Sequence, residues 1–420
     1  MPTPTAPTQS SLLREHASLL LVLCAITLLF RVVLDLGVYH HRPAEFWAHS
    51  FEPEHIAAAL VQGEGYSSPL SPHTGPTAWN PPVYPLLIAL VFKLFGLYSN
   101  RAVWVLLGVN ALSAMLTSVL LFRIGVEVFN AQTAFLGTLA WAISPDTAAW
   151  AARNWESSLG ALVSTLTVVC FLKLMQAKQP DWRAYAAYGA LWGICGLTTA
   201  TLLALMPLPL LALALRDRWS RLRAVLLSVV VATLVLVPWT ARNYLVFHKL
   251  IPVRGNFGAE LWSGNHPGVT GPLAVSRHPL TDPAEQHEYA VMGEAAYMAS
   301  RQQMATAFIR QHPRLFVHLC LLRVVSFWTS ARIVPAVWPA LTTLLAAIAF
   351  LLLLGSSKRM FAAPFASALL VFPLPYYISH AENYFRFPIE PLVLLLAAHT
   401  VATALEQITG RGRRQTVTPA

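Results

Sequence analysis

The chain has 420 residues, 56% of them hydrophobic and only 11% charged, with a formal net charge of +10. Soluble domains average about 45–50% apolar and about 25% charged residues, so a soluble globular class is excluded and an all-α, polytopic membrane protein is the class that fits. The positive excess lies mostly in loop Lys and Arg, which in such a protein sets orientation; no DNA-binding or RNA-binding motif accompanies it, and no nucleic-acid partner is expected.

In chain order, Arg14 precedes the apolar run SLLLVLCAITLLF, which has signal-peptide length. No A-x-A site follows, and the run continues through Arg31 into VVLDLGVY, so it reads as an uncleaved first span. Further spans are expected near 101–123, 130–144, 157–176, 183–199, 201–215, 222–241, 335–354, 359–377 and 386–406, after a first near 17–38. Segments 83–98 and 314–331 are apolar but ambiguous, with Lys93 in one and His318 and Arg323 in the other. The four cysteines, Cys24, Cys170, Cys195 and Cys320, lie in apolar stretches with no CxxC pair and read as small hydrophobes.

Short basic loops fix the topology. Lys178 and Arg183, then Arg216, Arg218, Arg221 and Arg223, then Lys358 and Arg359, and the tail arginines Arg411, Arg413 and Arg414 form four clusters. Such loops stay cytoplasmic, and all four do so together with the N-terminus only if 83–98 and 314–331 lie on the outer face as interfacial helices. The expectation is about ten spans with both termini cytoplasmic; twelve spans would put the arginine-rich loop outside. Residues 1–241 then form an N-terminal transmembrane module with a first outer loop at 39–100. Residues 242–334 form a large extracytoplasmic loop with amphipathic helices, and 335–420 hold the C-terminal spans and a basic tail.

The ionisable residues that do not set topology gather in the outer loops. In FEPEHI, Glu52, Glu54 and His55 open a short helix running from Pro53 to the stops Gly63 and Gly65. Glu52 falls at about the N-cap, so capping and catalysis are both open readings. GPTAWNPPVYP reads as a rigid turn that sets Trp79 and Tyr84 at headgroup depth. SPDTAAWAARNWES supplies Asp146, a structural helix-end acid, and Glu156, an N-cap candidate. Arg242, Lys249 and Arg254 open the second large loop, where guanidinium groups suit a lipid phosphate or ordinary headgroup anchoring. Beyond them, EYAVMGEAAYMASRQQMATAFIRQHP reads as one amphipathic surface helix. At the last boundary SHAENYFRFPIEP groups His380, Glu382, Tyr384 and Arg386, charges that are costly at a span end unless paired or functional. No HExxH or similar spacing occurs, so no dedicated metal cage is supported and a divalent metal is the one cofactor left open.

FEPEHIAAALVQGEGYSSP, TGPTAWNPPVYPLLIALVFKLFG, PWTARNYLVFHKLIPVRGNFGAELWSGN and ENYFRFPIEP follow one another in that order. Together they resemble bacterial glycosyltransferases related to the protein O-mannosyltransferases and the aminoarabinose transferase, which have the GT-C membrane fold. The resemblance runs from the first span to the last. It implies a multi-pass enzyme of the cell (inner) membrane whose extracytoplasmic active site lies in the N-terminal module. That enzyme would move a sugar from a polyprenyl-phosphate donor to a lipid, glycan or protein acceptor. In the family an acidic residue just after the first span is the base, a place held here by Glu52; Glu156 in NWESSL matches a second acidic residue. Relatives often carry an Asp-Glu pair at the first site, and the Glu-Pro-Glu found here leaves the choice between Glu52 and Glu54 open. The RYR-like element appears as YFR, which carries over Arg386. Arg242, Arg254 and Arg386 are the candidate phosphate partners, with His55 and Glu382 as further substrate contacts.

Other classes remain in view. A transporter or flippase would show internal repeats and mid-membrane polar groups, which are not seen. A polysaccharide polymerase or ligase would transfer a whole glycan, and a non-catalytic subunit would tolerate loss of both Glu52 and Glu156.

Overall fold

The computed structural model describes residues 16–410 except 42, 48–50, 218, 274–276, 330–335 and 383. Arg14, Arg218 and the tail arginines Arg411, Arg413 and Arg414 therefore lie outside the described residues. The fold is helical throughout, and among the described residues β pairing is limited to an isolated bridge between Ser67 and Pro76.

Among the described residues six helices are long and apolar enough to cross a membrane: Ala17–Tyr39, Asn100–Val128, Ser157–Gln176, Leu222–Phe247, Val337–Leu354 and Phe387–Ile408. The other four expected spans are short or broken helical segments. Ala131–Ile143 stops at Ser144 and restarts as Pro145–Ala151, with Asp146 in its first turn; Trp182–Thr198 has 17 residues. The run after Thr199 is a 3-10 turn, Ala200–Leu205, followed by Pro207–Leu215. Residues 363–378 pass from Ala363–Ala366 through a π turn to Leu374–Ile378. Prolines at 207, 364, 373 and 375 explain the breaks, since proline has no N–H to donate and its ring clashes with the preceding turn. Broken helices survive at membrane depth where protein surrounds them. The two ambiguous segments form Val83–Phe95 and Pro313–Thr329. At 13 residues, the first is about 20 Å long, short of the ~30 Å hydrocarbon core.

The spans sort into a centre and a rim. In Ser157–Gln176, 72% of the apolar stretch is buried in protein, whereas in Ala17–Tyr39 only 17% is. The rim helices present Leu21, Leu29, Leu234 and Leu351 outward, as a lipid-facing surface requires. At the centre, Trp141, Phe171, Trp192 and Leu395 belong to one continuous core.

The basic loops gather at one end of this bundle. Arg221 donates to the carbonyls of Leu174 at 2.8 Å and Ala177 at 2.5 Å, at the C-terminal end of Ser157–Gln176. Lys358 donates to Phe129 O at 3.1 Å, and Asn130 to Glu406 at 3.2 Å. The other end of Ser157–Gln176 begins at Glu156. Twenty residues separate the two ends, about 30 Å of helix.

At that second end the two large loops are fastened together. Arg242 donates to Thr77 O at 2.6 Å and Tyr66 O at 2.8 Å, with its guanidinium 5.2 Å from the Trp239 ring centre. The buried carboxylate of Glu294 accepts from Ala78 N at 2.6 Å, from Tyr289 OH at 2.7 Å and from the Thr77 hydroxyl. The single amphipathic helix expected over this stretch is instead two, Pro283–Met292 and Glu294–Gln311. They are divided at Gly293, whose φ of 74° favours a residue without Cβ. Trp79 and Tyr84 are buried in protein: Trp79 packs against His278 and Tyr289, and Tyr84 OH donates to Asn154 at 3.0 Å.

Candidate active site

Between the fastened loops and the ends of the central helices lies a cavity of about 480 Å³. Glu52 reaches it from the first residue of Glu52–Gln62, a helix that carries Pro53 in its first turn and ends at Gly63 in the left-handed region. The N-cap is Phe51 and no side chain caps the helix, so capping is not what the Glu52 carboxylate does. Glu52 is 3% exposed; its Oε1 sits 3.6 Å from His278 Nε2, and its Oε2 has no hydrogen-bond partner among the described residues. Glu54, also buried, does not line the cavity and instead lies within electrostatic reach of Tyr39, Tyr84 and Tyr98. Positions i and i+2 of a helix point to nearly opposite sides, and that geometry separates the two carboxylates. His55 turns to the Leu70 backbone, away from the cavity, and burial lowers its pKa despite Glu52 nearby.

Glu156 holds the N-cap position of Ser157–Gln176 yet makes no capping bond. It lines the cavity at 5% exposure, with Oε2 unpartnered among the described residues. Burial pushes its pKa up to about 7; Arg254 and a hydrogen bond with Thr199 oppose the rise, and Glu52 adds to it. The folded protein therefore holds a proton here that the unfolded chain releases above its ordinary 4.5. This contribution to stability is complete below that value and is lost as the pH climbs towards 7, a total of about 3 kcal/mol. Glu156→Gln is expected to flatten the fall in thermal stability between pH 5 and pH 8, as read by unfolding in detergent; an unchanged pH dependence would refute this.

Arg254 enters the cavity from the second loop, held by Trp79 O at 2.8 Å and Glu260 Oε1 at 3.4 Å. Burial lowers its pKa, but Glu260, Glu156 and Glu52 together raise it further. Glu260, on Phe257–Gly264, also accepts from Asn256 Nδ2 at 2.5 Å and lies 3.5 Å from His380 Nε2. Burial raises the Glu260 carboxyl pKa, yet His380, Arg254, His278 and the Asn256 bond bring it below the usual range. Glu382 lines the same cavity, and Phe51, Trp155 and Tyr384 add an aromatic wall, with ring centres 5.0 Å and 5.6 Å apart in sequence.

Of the residues singled out in the sequence, Glu52, Glu156, Arg254 and Glu382 meet in this cavity, whereas Glu54, His55, Arg242 and Arg386 do not line it. Arg242 spends its donors on loop carbonyls. Arg386 pairs with Glu390 one turn on and donates to Thr342, Thr343 and Trp328 O, so its charge at the span end is neutralised locally. Sequence reasoning missed Glu260 and His278, which sit in GNFGAELWSGN and AVSRHPL without any motif spacing. Among the described residues no group of three or more His, Cys, Asp or Glu is arranged to hold a metal ion.

Residues 79–241 match the family model of the dolichyl-phosphate-mannose-protein mannosyltransferases. No curated protein matches the chain. Among solved structures, the archaeal oligosaccharyltransferase AglB from Archaeoglobus fulgidus, in complex with an inhibitory peptide and a dolichol-phosphate, aligns with a TM-score of 0.56 at 14% identity. That alignment covers 97% of this chain and 52% of AglB. The apo form gives 0.55 at 13% identity, over 95% and 52%. This chain thus spans about half the length of the archaeal enzyme. ArnT from Cupriavidus metallidurans bound to undecaprenyl phosphate aligns over 92% of this chain and 81% of its own at 16% identity, with a TM-score of 0.37 that is too low to speak to the fold. The chain thus shares the helical membrane fold of AglB over nearly its whole length, and its residues 79–241 are similar to the dolichyl-phosphate-mannose-protein mannosyltransferases.

Proposed function

We propose that this multi-pass membrane protein is a glycosyltransferase. It takes a sugar from a polyprenyl-phosphate donor and attaches it to a lipid, glycan or protein acceptor on the extracytoplasmic side of the cell membrane, with both termini in the cytoplasm. One observation carries the reading: one cavity joins a buried carboxylate oxygen without a hydrogen-bond partner among the described residues, Glu52 Oε2, to the half-buried guanidinium of Arg254. Its position supports the orientation, because it opens at the end of Ser157–Gln176 opposite the basic loops, and basic loops face the cytoplasm. The family name and the dolichol-phosphate held by AglB support the donor class.

The chemistry follows from these groups. An acceptor O–H or N–H attacks the anomeric carbon as the bond from that carbon to the phosphate oxygen breaks. Glu52 Oε2 takes the acceptor proton, and polyprenyl phosphate leaves with the bonding pair, its charge met by Arg254. Glu54 does not line the cavity, which favours Glu52 as the base. Arg242 and Arg386 act as anchors of the loops and the last span. In liposomes containing the purified protein and radiolabelled polyprenyl-phosphate-mannose or -glucose, we expect a new glycosidic bond and release of polyprenyl phosphate. Translocation of the intact donor with no bond formed would replace this reading with a flippase. In intact cells a cysteine placed at the exposed His73 should react with an impermeant maleimide from outside; labelling from the cytoplasm alone would overturn the orientation.

A further inference from the structure

Three polar atoms in the cavity wall are buried without a hydrogen-bond partner among the described residues: Glu52 Oε2, Glu156 Oε2 and His380 Nδ1. Glu52 is the proposed base, and Glu156 answers in part to Thr199. His380 is the atom without a task. Its side chain is 6% exposed, and its Nε2 faces Glu260 Oε2 at 3.5 Å. Glu260 also accepts from Arg254 and Asn256, so it stays a carboxylate and takes the proton-bearing nitrogen of the imidazole. With its hydrogen on the Nε2 that faces Glu260, the ring has its Nδ1 as a buried acceptor without a partner among the described residues. Burial favours the neutral ring, with Glu260 and Glu382 pulling the other way. The backbone on either side is held, Ala381 N donating to Pro272 O at 3.0 Å and Ser379 N to Pro375 O at 3.1 Å, and the Phe385 ring lies tilted against the imidazole with centres 5.2 Å apart.

A buried acceptor with no donor costs stability, and a ligand that brings an O–H repays that cost. Next to a cation suited to phosphate and an aromatic wall suited to the C–H face of a ring, the matching donor is a sugar hydroxyl. We propose that His380 is a specificity-determining residue whose Nδ1 accepts a hydrogen bond from a hydroxyl of the donor sugar, in the tautomer that Glu260 fixes. This rests on the glycosyltransferase reading above. Sites built to bond a substrate hydroxyl discriminate strongly against ligands that lack it.

The test compares two kinds of probe on purified protein in nanodiscs: bare polyprenyl phosphate, and polyprenyl phosphate carrying mannose, glucose, galactose, N-acetylglucosamine or arabinose. For the sugar the wild type holds most tightly, His380→Leu should weaken binding about 10–100-fold and leave bare polyprenyl phosphate within about twofold. His380→Asn puts an amide oxygen near the place of Nδ1 and should recover most of the loss. Equal loss of both probes in His380→Leu, no loss of either, or failure of His380→Asn to recover binding overturns the assignment. If the wild type binds neither kind of probe, the polyprenyl-phosphate reading itself fails and takes this inference with it; binding of both probes with an indifferent His380→Leu sinks the inference alone.

Discussion

Glu52→Gln is expected to cut sugar transfer by about 10²–10⁴-fold, the range that general-base catalysis supplies, while the protein stays folded and keeps its affinity for polyprenyl phosphate. The amide has the shape of the carboxylate. Its oxygen can face His278 as Oε1 does now, which leaves an NH₂ in the cavity where Oε2 stood. That group cannot take a proton from an acceptor. Because a buried charge is removed without opening a hole, the thermal transition should not fall. Glu54→Gln, on the far side of the same helix, should retain transfer within several-fold of wild type. Initial rates at matched protein amounts, with binding of polyprenyl phosphate measured alongside, decide the matter: a folded Glu52→Gln with full activity removes Glu52 from the chemistry.

Arg254→Gln should produce the second large loss, about 10²–10³-fold in transfer, as for other groups that meet developing charge. Unlike the change at Glu52, it should also weaken the binding of bare polyprenyl phosphate, because the guanidinium is the cavity's fixed cation. Arg254→Lys keeps the charge but not the planar fork that now spans Trp79 O and Glu260, so only partial recovery is expected. Arg242→Gln is the contrast. Its guanidinium binds the carbonyls of Tyr66 and Thr77 outside the cavity, so thermal stability should drop while phosphate affinity holds. If Arg254→Gln matches wild type in both rate and affinity, the leaving group is met elsewhere.

The membrane fold was legible because apolar run length and loop charge each report a single physical constraint, bilayer thickness and the retention of Lys and Arg on one side. Helix breaks were less so: Pro207 and Pro373 are visible in the sequence, but whether a break leaves one span or two depends on surrounding protein. Glu52 and Glu156 could be found because each is an acid at a helix start beside an apolar run. The same local reading gave them a capping role, which the structure does not show. Glu260 and His278 escaped because what makes them notable is distance in space: His278 meets Glu52, and Glu260 meets His380, across more than a hundred residues of chain. Arg242 and Arg386 carried the right charge in the right zone, yet which acceptors would consume their donors is decided only by packing.

The cavity takes its wall from separate stretches of chain, beginning with Phe51 and Glu52, passing through Glu156, Thr199, Arg254 and His278, and ending with residues between Pro375 and Pro388. The last of these segments lies far along the chain from the first, so it is made well after Glu52 and Arg254. A nascent or truncated chain thus has acid and cation but no enclosed pocket, and water reaches both. Sugar transfer is therefore expected only once the segment from Pro375 to Pro388 has packed against the earlier ones.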